Sequence, residues 1–344
     1  MYMVCTLHTL GNGGILEATT SHKANYCIAW LLEIATYCAV NCFALISGFV
    51  SCKSTFKIHN LFRLWLQAEF YSLGIALIFK LTVANSLSLK DLICSCFPIC
   101  TNEYWYLTSY AIMFFAIPQM NHILCHQSKE ALRRFIWFFF IIFSVLAMVP
   151  VLSQIAFSVN RGYSSIWLAY LYIIGGFIRI HGIHELLPNT FILKKHFKRL
   201  VNSKTGLILT YVLCVGITFL LYTTGHYCIL RTIGRDPFCM KYVNYNSPTI
   251  LFAGIVLFLF FSQLNVSSIA PFIRIASPLA FSVYLIHCQK QISTFLFKGA
   301  FKWVANLQTW MLPFAIISIS LAIYLVCSLI DFVRLRLFKL LHLA

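Results

Sequence analysis

Nine stretches of this chain are apolar over most of the length needed to cross a lipid bilayer, and no other property restricts its fold so severely. They lie near residues 26–50, 61–84, 104–121, 134–154, 166–181, 205–223, 248–264, 270–289 and 309–332, each bounded by charged or turn-forming residues. A shorter apolar stub occupies 1–10. A bilayer core requires about 20 apolar residues at 1.5 Å rise each, so the stub reads as a first helix cut short. Runs such as Phe135 to Val151 and Phe314 to Ile330 cannot all be hidden inside one soluble core of this size. Charged residues make up only 10% of the chain, against roughly a quarter in a soluble domain. The expectation is an all-α fold: a polytopic membrane bundle of about ten transmembrane helices, the first truncated, forming a single membrane domain over 1–344.

A net charge of +17 raises nucleic acid as a partner until the basic residues are placed. Counted over alternate loops, 16 of the 26 Lys and Arg fall on one side and ten on the other. They form no groove, and nucleic acid is not expected. By the positive-inside rule both termini face the cytoplasm. The richest cluster, Lys194 to Lys204, lies on the side counted as inside. It suits anionic lipid headgroups, and the same charge would draw a polyphosphorylated donor. The N-terminus lacks the basic leader of a cleaved secretory signal, so insertion by internal spans is expected.

Of the 14 cysteines, most lie inside apolar runs, where thiols pack as small hydrophobes. Cys94, Cys96 and Cys100 fall in a loop assigned to the outside, where a disulfide and free thiols are both open readings. No cysteine or histidine spacing matches a zinc site, and no metal is expected.

Polar residues inside the spans mark positions that lipid excludes unless protein surrounds them. Glu33, Tyr37, Asn41 and Gly48 fall within about 80° of one another at 100° per residue, on one face of a continuous helix. Glu33 should therefore face the bundle interior with a partner, while Tyr37 and Asn41 suit hydrogen bonding or substrate contact. Arg63 begins the next span, where a guanidinium either pairs with phosphate or snorkels to headgroups. Trp105 and Tyr106, after Glu103 and Tyr104, suit an interfacial belt or a stacking surface for sugar rings. Tyr284 and His287 stand three apart on one face, and His287 taken alone reads as structural or catalytic. His8 ends the N-terminal stub in Thr6-Leu7-His8-Thr9, an imidazole placed as a general base would be.

Four strings occur in order: Leu7-His8, Asn41-Cys-Phe-Ala-Leu-Ile-Ser47-Gly48-Phe49, Trp105-Tyr106-Leu107 and Tyr284-Leu-Ile-His287. In order and spacing they resemble the acyltransferase-3 family of integral membrane acyltransferases over most of the chain. The resemblance implies a ten-helix bundle that moves an acyl group, commonly acetyl and sometimes succinyl, from cytoplasmic acyl-CoA to a sugar hydroxyl of a surface glycan or its lipid-linked precursor. It also implies a multi-pass protein of the bacterial plasma (inner) membrane. His8 matches the family's functional histidine, whereas the arginine eleven positions before it would precede Met1. Of the family's basic pair after the Ser-Gly-Phe turn, Arg63 fits the second member and Asn60 occupies the first.

The implied roles are His8 as general base and Arg63, Ser47 and Gly48 on the donor side. Glu33, Asn41, Trp105, Tyr106, Tyr284 and His287 are acceptor-side or structural. Two other classes stay open: a transporter or flippase in which Glu33, His8 and His287 relay protons or contact cargo, and a catalytically silent glycan-binding relative.

Overall fold

The computed structural model describes residues 1–83, 87–149, 159–188, 194–233 and 239–340. Among these residues every regular element is helical. The principal helices are α1 (Tyr2–Leu10), α2 (Lys23–Tyr37), α3 (Ala39–Ser51), α4 (Ile58–Thr82), α5 (Leu89–Ser95), α6 (Trp105–His126) and α7 (Lys129–Phe140). They continue with α8 (Ser165–His181), α9 (Lys204–Ile233), α10 (Pro248–Ser262), α11 (Ala270–His287) and α12 (Met311–Leu340). Seven helical segments are long and apolar enough to cross a membrane: Lys23–Ser51, Ile58–Thr82, Lys129–Met148, Lys204–His226, Lys241–Ser262, Ser267–His287 and Met311–Leu340. The fold is an all-α membrane bundle, and each apolar stretch read from the sequence falls on a helix. Position 84 and the end of the 134–154 stretch lie outside the described residues, as does Arg235 of the charge count.

Local sequence explains where these helices begin. Ser128 and Ser164 accept hydrogen bonds from the backbone N–H of Ala131 and Trp167, capping α7 and α8, each cap being worth about 1 kcal/mol. Ser88 and Asp91 form a reciprocal capping box on α5. Pro248 occupies the first turn of α10, where its missing N–H costs nothing.

Two features depart from the sequence reading. A turn at Cys38 separates α2 from α3, interrupting the helical register on which Glu33, Tyr37, Asn41 and Gly48 were placed on one face. Beyond α7 the backbone widens into a π-helix over Ile141–Val145 before ending in a short α-turn at Leu146–Met148.

The chain forms two compact units. One comprises Met1–Thr36, Ile58–Thr108 and Asn265–Ala344. Its core gathers Cys5, Ala68, Tyr71, Tyr104, Leu107, Val283, Leu285 and Cys327 from α1, α4, α6, α11 and α12. A second cluster joins Leu10, Ile15, Ala29, Val304, Leu312 and Ile316. Polar pins tie the same helices where lipid offers no partner. The fully buried Asp331 receives hydrogen bonds from the Tyr71 hydroxyl and from Arg334 Nε, both at 2.6 Å. Asn25 donates to the carbonyls of Ala305 and Leu307, and Ser320 meets Thr9 of α1.

The other unit comprises Tyr37–Lys57 and Ser109–Leu264, and its centre is the crossing of α3 and α8. There a Cβ on Gly48 would overlap the backbone carbonyl of Tyr172, and one on Gly175 would overlap that of Leu45. Small residues at such a crossing let two backbones touch, the usual route to tight packing in lipid. Asn41 beside it is fully buried, donating to Tyr245 O at 2.8 Å and accepting from Trp167 Nε1 at 3.0 Å.

The glycine crossing yields a direct expectation. Gly48→Ala should destabilise the protein by about 1–3 kcal/mol or more through overpacking. Gly216→Ala, where an added Cβ meets open space, should be neutral or stabilising by up to about 1 kcal/mol. Thermal unfolding in detergent, followed by scanning fluorimetry, checks the pair; equal Tm values for the two variants would remove the crossing from the account.

Candidate active site

Two histidines separated by 279 positions in sequence meet inside the first unit: His8 Nδ1 lies 2.9 Å from His287 Nε2. His8 stands in the last turn of α1, and His287 closes α11, where it is 2% exposed. The tautomers follow from the outermost partner. His287 Nδ1 faces the backbone carbonyl of Val283, one turn earlier in α11, which can only accept. The Nδ1 proton therefore points at Val283, and His287 Nε2 presents a lone pair. His8 must then donate from Nδ1, so its own lone pair resides on Nε2, which has no hydrogen-bond partner among the described residues. A backbone carbonyl thus dictates, through one intervening ring, which nitrogen of His8 is basic.

Cys288 completes the cluster, its Sγ 3.2 Å from His8 Nδ1 and 3.4 Å from His287 Nε2. Cys288 also lines a cavity of about 460 Å³ whose other walls include Asp91, Ser95, Thr101, Glu103 and Lys290. Most of the residues lining it are polar or charged, in a protein otherwise so apolar. Glu103 organises one side of it: Oε1 accepts from the Lys290 backbone N–H at 3.1 Å, and Oε2 accepts from Ser72 Oγ at 2.6 Å. The carboxylate thereby joins α4 to the turn that follows His287. Gln289 fixes that turn from the other side, its fully buried Oε1 accepting from the backbone N–H groups of Gln291 and Ile292 at the start of a π-helix, Ile292–Phe297.

At the cavity rim, the Lys290 ammonium 2.8 Å away, helped by Ser88, holds the Asp91 carboxyl down to about 2. A depressed carboxylate contributes stability above its unfolded value of about 4, lost as pH falls towards 2. Because Lys290 is exposed and Asp91 only half-buried, solvent screens the pair and that contribution is small.

The structure brings His8, His287 and Tyr284 together. Tyr284 is buried, its ring 6.5 Å from His287 and 5.7 Å from Tyr104. Its hydroxyl meets the backbone N–H of Tyr106. Trp105 and Tyr106 sit edge to face with ring centroids 5.7 Å apart, and from this segment it is Glu103 that lines the cavity. Arg63 is exposed on α4, one turn before Gln67, whose amide bonds Ser282 of α11. Since His287 lies five residues beyond Ser282, Arg63 and His287 are about 13 Å apart along the helix axes.

Glu33 is buried on α2 as expected. The expected partner is absent: its Oε2 has no hydrogen-bond acceptor or donor opposite it among the described residues, and it makes no hydrogen bond with either histidine. Asn41, Ser47 and Gly48 belong to the second unit, where Asn41 and Gly48 hold the helix crossing and Ser47 bonds Tyr110. Cys94, Cys96 and Cys100 are free thiols.

Sequence reasoning did not assign Cys288, Ser72, Asp91 or Lys290 to the site. Glu103 had a usable signal in the string Glu103-Tyr-Trp-Tyr, and Cys288 in its adjacency to His287. Ser72 had none, being one of several small polar residues on a helix.

The fold is an all-helical membrane bundle in which a histidine pair stands beside a polar cavity. The family model for acyltransferase-3 proteins, described as "Acyltransferase domain", matches residues 1–331. The chain belongs to that family and is a membrane acyltransferase. Comparisons with curated proteins and with solved structures give no match.

Glu103→Ala would remove the charged acceptor shared by the Lys290 N–H and by Ser72 Oγ, which keeps the Ser95 carbonyl, and should cost about 1–3 kcal/mol, the range for hydrogen bonds to a charged group. Asp91→Asn should cost under about 1 kcal/mol at pH 7, the pair being solvent-screened. Unfolding midpoints of the two variants at pH 7 check the contrast, with a larger loss for Asp91→Asn counting against the assignment of Glu103 as the organising carboxylate.

Proposed function

We propose that the protein transfers an acyl group, acetyl or succinyl, from cytoplasmic acyl-CoA to a hydroxyl of a cell-surface glycan or its lipid-linked precursor, with His8 as general base. The observation that carries this reading is the chain from Val283 O through His287 to His8, which leaves an unpartnered basic Nε2 on His8. In the reaction that nitrogen takes the proton of the acceptor hydroxyl as its oxygen attacks the thioester carbonyl. The tetrahedral intermediate collapses by breaking the carbon–sulfur bond, and the departing CoA thiolate recovers the proton from His8 Nε2. While His8 is protonated, its Nδ1–H stays bonded to the His287 lone pair, which offsets the cost of an imidazolium in a desolvated site. His287 is thus a positioning residue.

The polar cavity offers carboxylates and an ammonium to saccharide hydroxyls, from Asp91, Glu103 and Lys290. It opens among residues of the loop that the charge count assigns to the outer side. Arg63, toward the opposite end of α4, suits the donor phosphates, and the interval of about 13 Å to His287 is one that a pantetheine arm can span. The proposed setting is the plasma membrane, with both termini cytoplasmic. Trp105, Tyr106 and Tyr284 support the acceptor side through packing.

Membranes containing the protein, given radiolabelled acetyl-CoA and a glycan acceptor, test the scheme. His8→Ala should lower transfer by about 10²–10⁴-fold; undiminished transfer by this variant overturns the mechanism. His287→Gln should lower kcat and displace the pH–rate profile while leaving KM for acetyl-CoA near its starting value. For Arg63→Ala the opposite split is expected, a raised KM for the donor that Arg63→Lys restores in part.

A further inference from the structure

His8 Nδ1, His287 Nε2 and Cys288 Sγ form a triangle with sides of 2.9, 3.2 and 3.4 Å. A tetrahedral zinc ion bound at about 2.05 Å by nitrogen and 2.3 Å by sulfur sets its ligand atoms about 3.3 Å (N to N) and 3.5 Å (N to S) apart. Small shifts, outward by a few tenths of an ångström, convert one triangle into the other. The three atoms are also of the kinds that select a borderline-soft divalent cation over magnesium or calcium. His287 carries the support typical of a metal-bound imidazole, its far nitrogen donating to a backbone carbonyl so that the near one is free to coordinate. The polar cavity supplies a way in, since Cys288 lines it together with Glu103 and the Asp91–Lys290 ion pair. Sequence spacing gave no hint of this cluster, because His8 lies 279 positions from His287.

We propose that His8, His287 and Cys288 form a three-ligand site for a thiophilic divalent cation such as Zn²⁺, and that its occupancy switches the enzyme off. Binding forms one Zn–S and two Zn–N bonds. The Cys288 thiol releases its proton to water, and the proton of His8 Nδ1 moves by solvent exchange to Nε2 as Nδ1 takes the metal. Neutral His8 then holds N–H where it previously held a lone pair. The nitrogen facing the acceptor can no longer accept a proton, so the metal inhibits without having to fill the cavity. This regulatory half rests on the assignment of His8 as general base, whereas the binding half does not.

The two halves have separate readouts. Full-length reduced protein in detergent, with the accessible free thiols Cys94, Cys96, Cys100 and Cys125 replaced by Ser and titrated with Cd²⁺, should develop a thiolate-to-cadmium charge-transfer absorption saturating at one equivalent. That absorption should disappear in Cys288→Ala and persist in Cys5→Ala and Cys327→Ala. His287→Ala should weaken it by at least about tenfold, the cost of losing even an outer-shell partner. In the acetyl-transfer assay, Zn²⁺ should inhibit the unsubstituted protein, EDTA should restore the rate, and the inhibition midpoint of Cys288→Ala, relative to its own zinc-free rate, should rise at least about tenfold, by the same argument. An unchanged charge-transfer band in Cys288→Ala overturns the site. Activity that EDTA abolishes overturns the inhibitory role, since the metal would then be required. Cadmium binding at the site in a protein with no acetyl transfer would uphold the site and sink the general-base reading instead.

Discussion

The carbonyl oxygen of Val283 is the fixed point from which the chemistry of this protein is set. It cannot donate, so it orients His287; His287, thus oriented, can only accept from His8; and His8 is left with a base on the nitrogen away from the pair. In water each of these choices would be averaged by exchange with solvent. Inside a bundle that lipid surrounds, a buried polar atom has only protein partners, and one helix carbonyl is enough to polarise two rings in sequence. The surrounding contacts serve this line: Tyr104 donates to Leu285 O at 3.0 Å, Glu103 fixes Lys290, and Gln289 holds the turn beyond Cys288. The residues on either side of His287 are therefore held from three directions.

Much of the architecture was legible in the chain because lipid imposes one rule on every span. Apolar runs of the required length, punctuated by charge, located the long helices, though not short ones such as α5. Where the reading failed, the cause was local. The turn at Cys38 has neither Pro nor Gly beside it to mark it, so a continuous helix was the natural count. The π-helix at Ile141–Val145 was equally silent, since an extra residue per turn changes no hydropathy.

The site was legible in part, and for a different reason. His8 and His287 were conspicuous because imidazoles are rare at membrane depth, but nothing in one chain says that two such residues touch. That pairing is a fact of tertiary structure. Gly48 shows a second role: the Ser47-Gly48-Phe49 string pointed to the donor, and in the fold Gly48 also meets Tyr172 at a backbone contact. Glu103 was overshadowed by its aromatic neighbours, which pack, while the carboxylate takes the polar cavity.

The buried bond between Tyr71 and Asp331 also has a consequence for biogenesis. These residues are 260 positions apart, and a ribosome adding about 5–20 residues per second takes roughly 10–50 s to cover that interval. Throughout that time Tyr71 waits in the membrane without its carboxylate, and His8 waits as long for His287. The Tyr71–Asp331 bond can therefore form only after the last helix has been made. Early helices have bonds such as Ser72 to Glu103 and Trp167 to Asn41 to close among themselves, and the longer-range polar knots close behind the later segments.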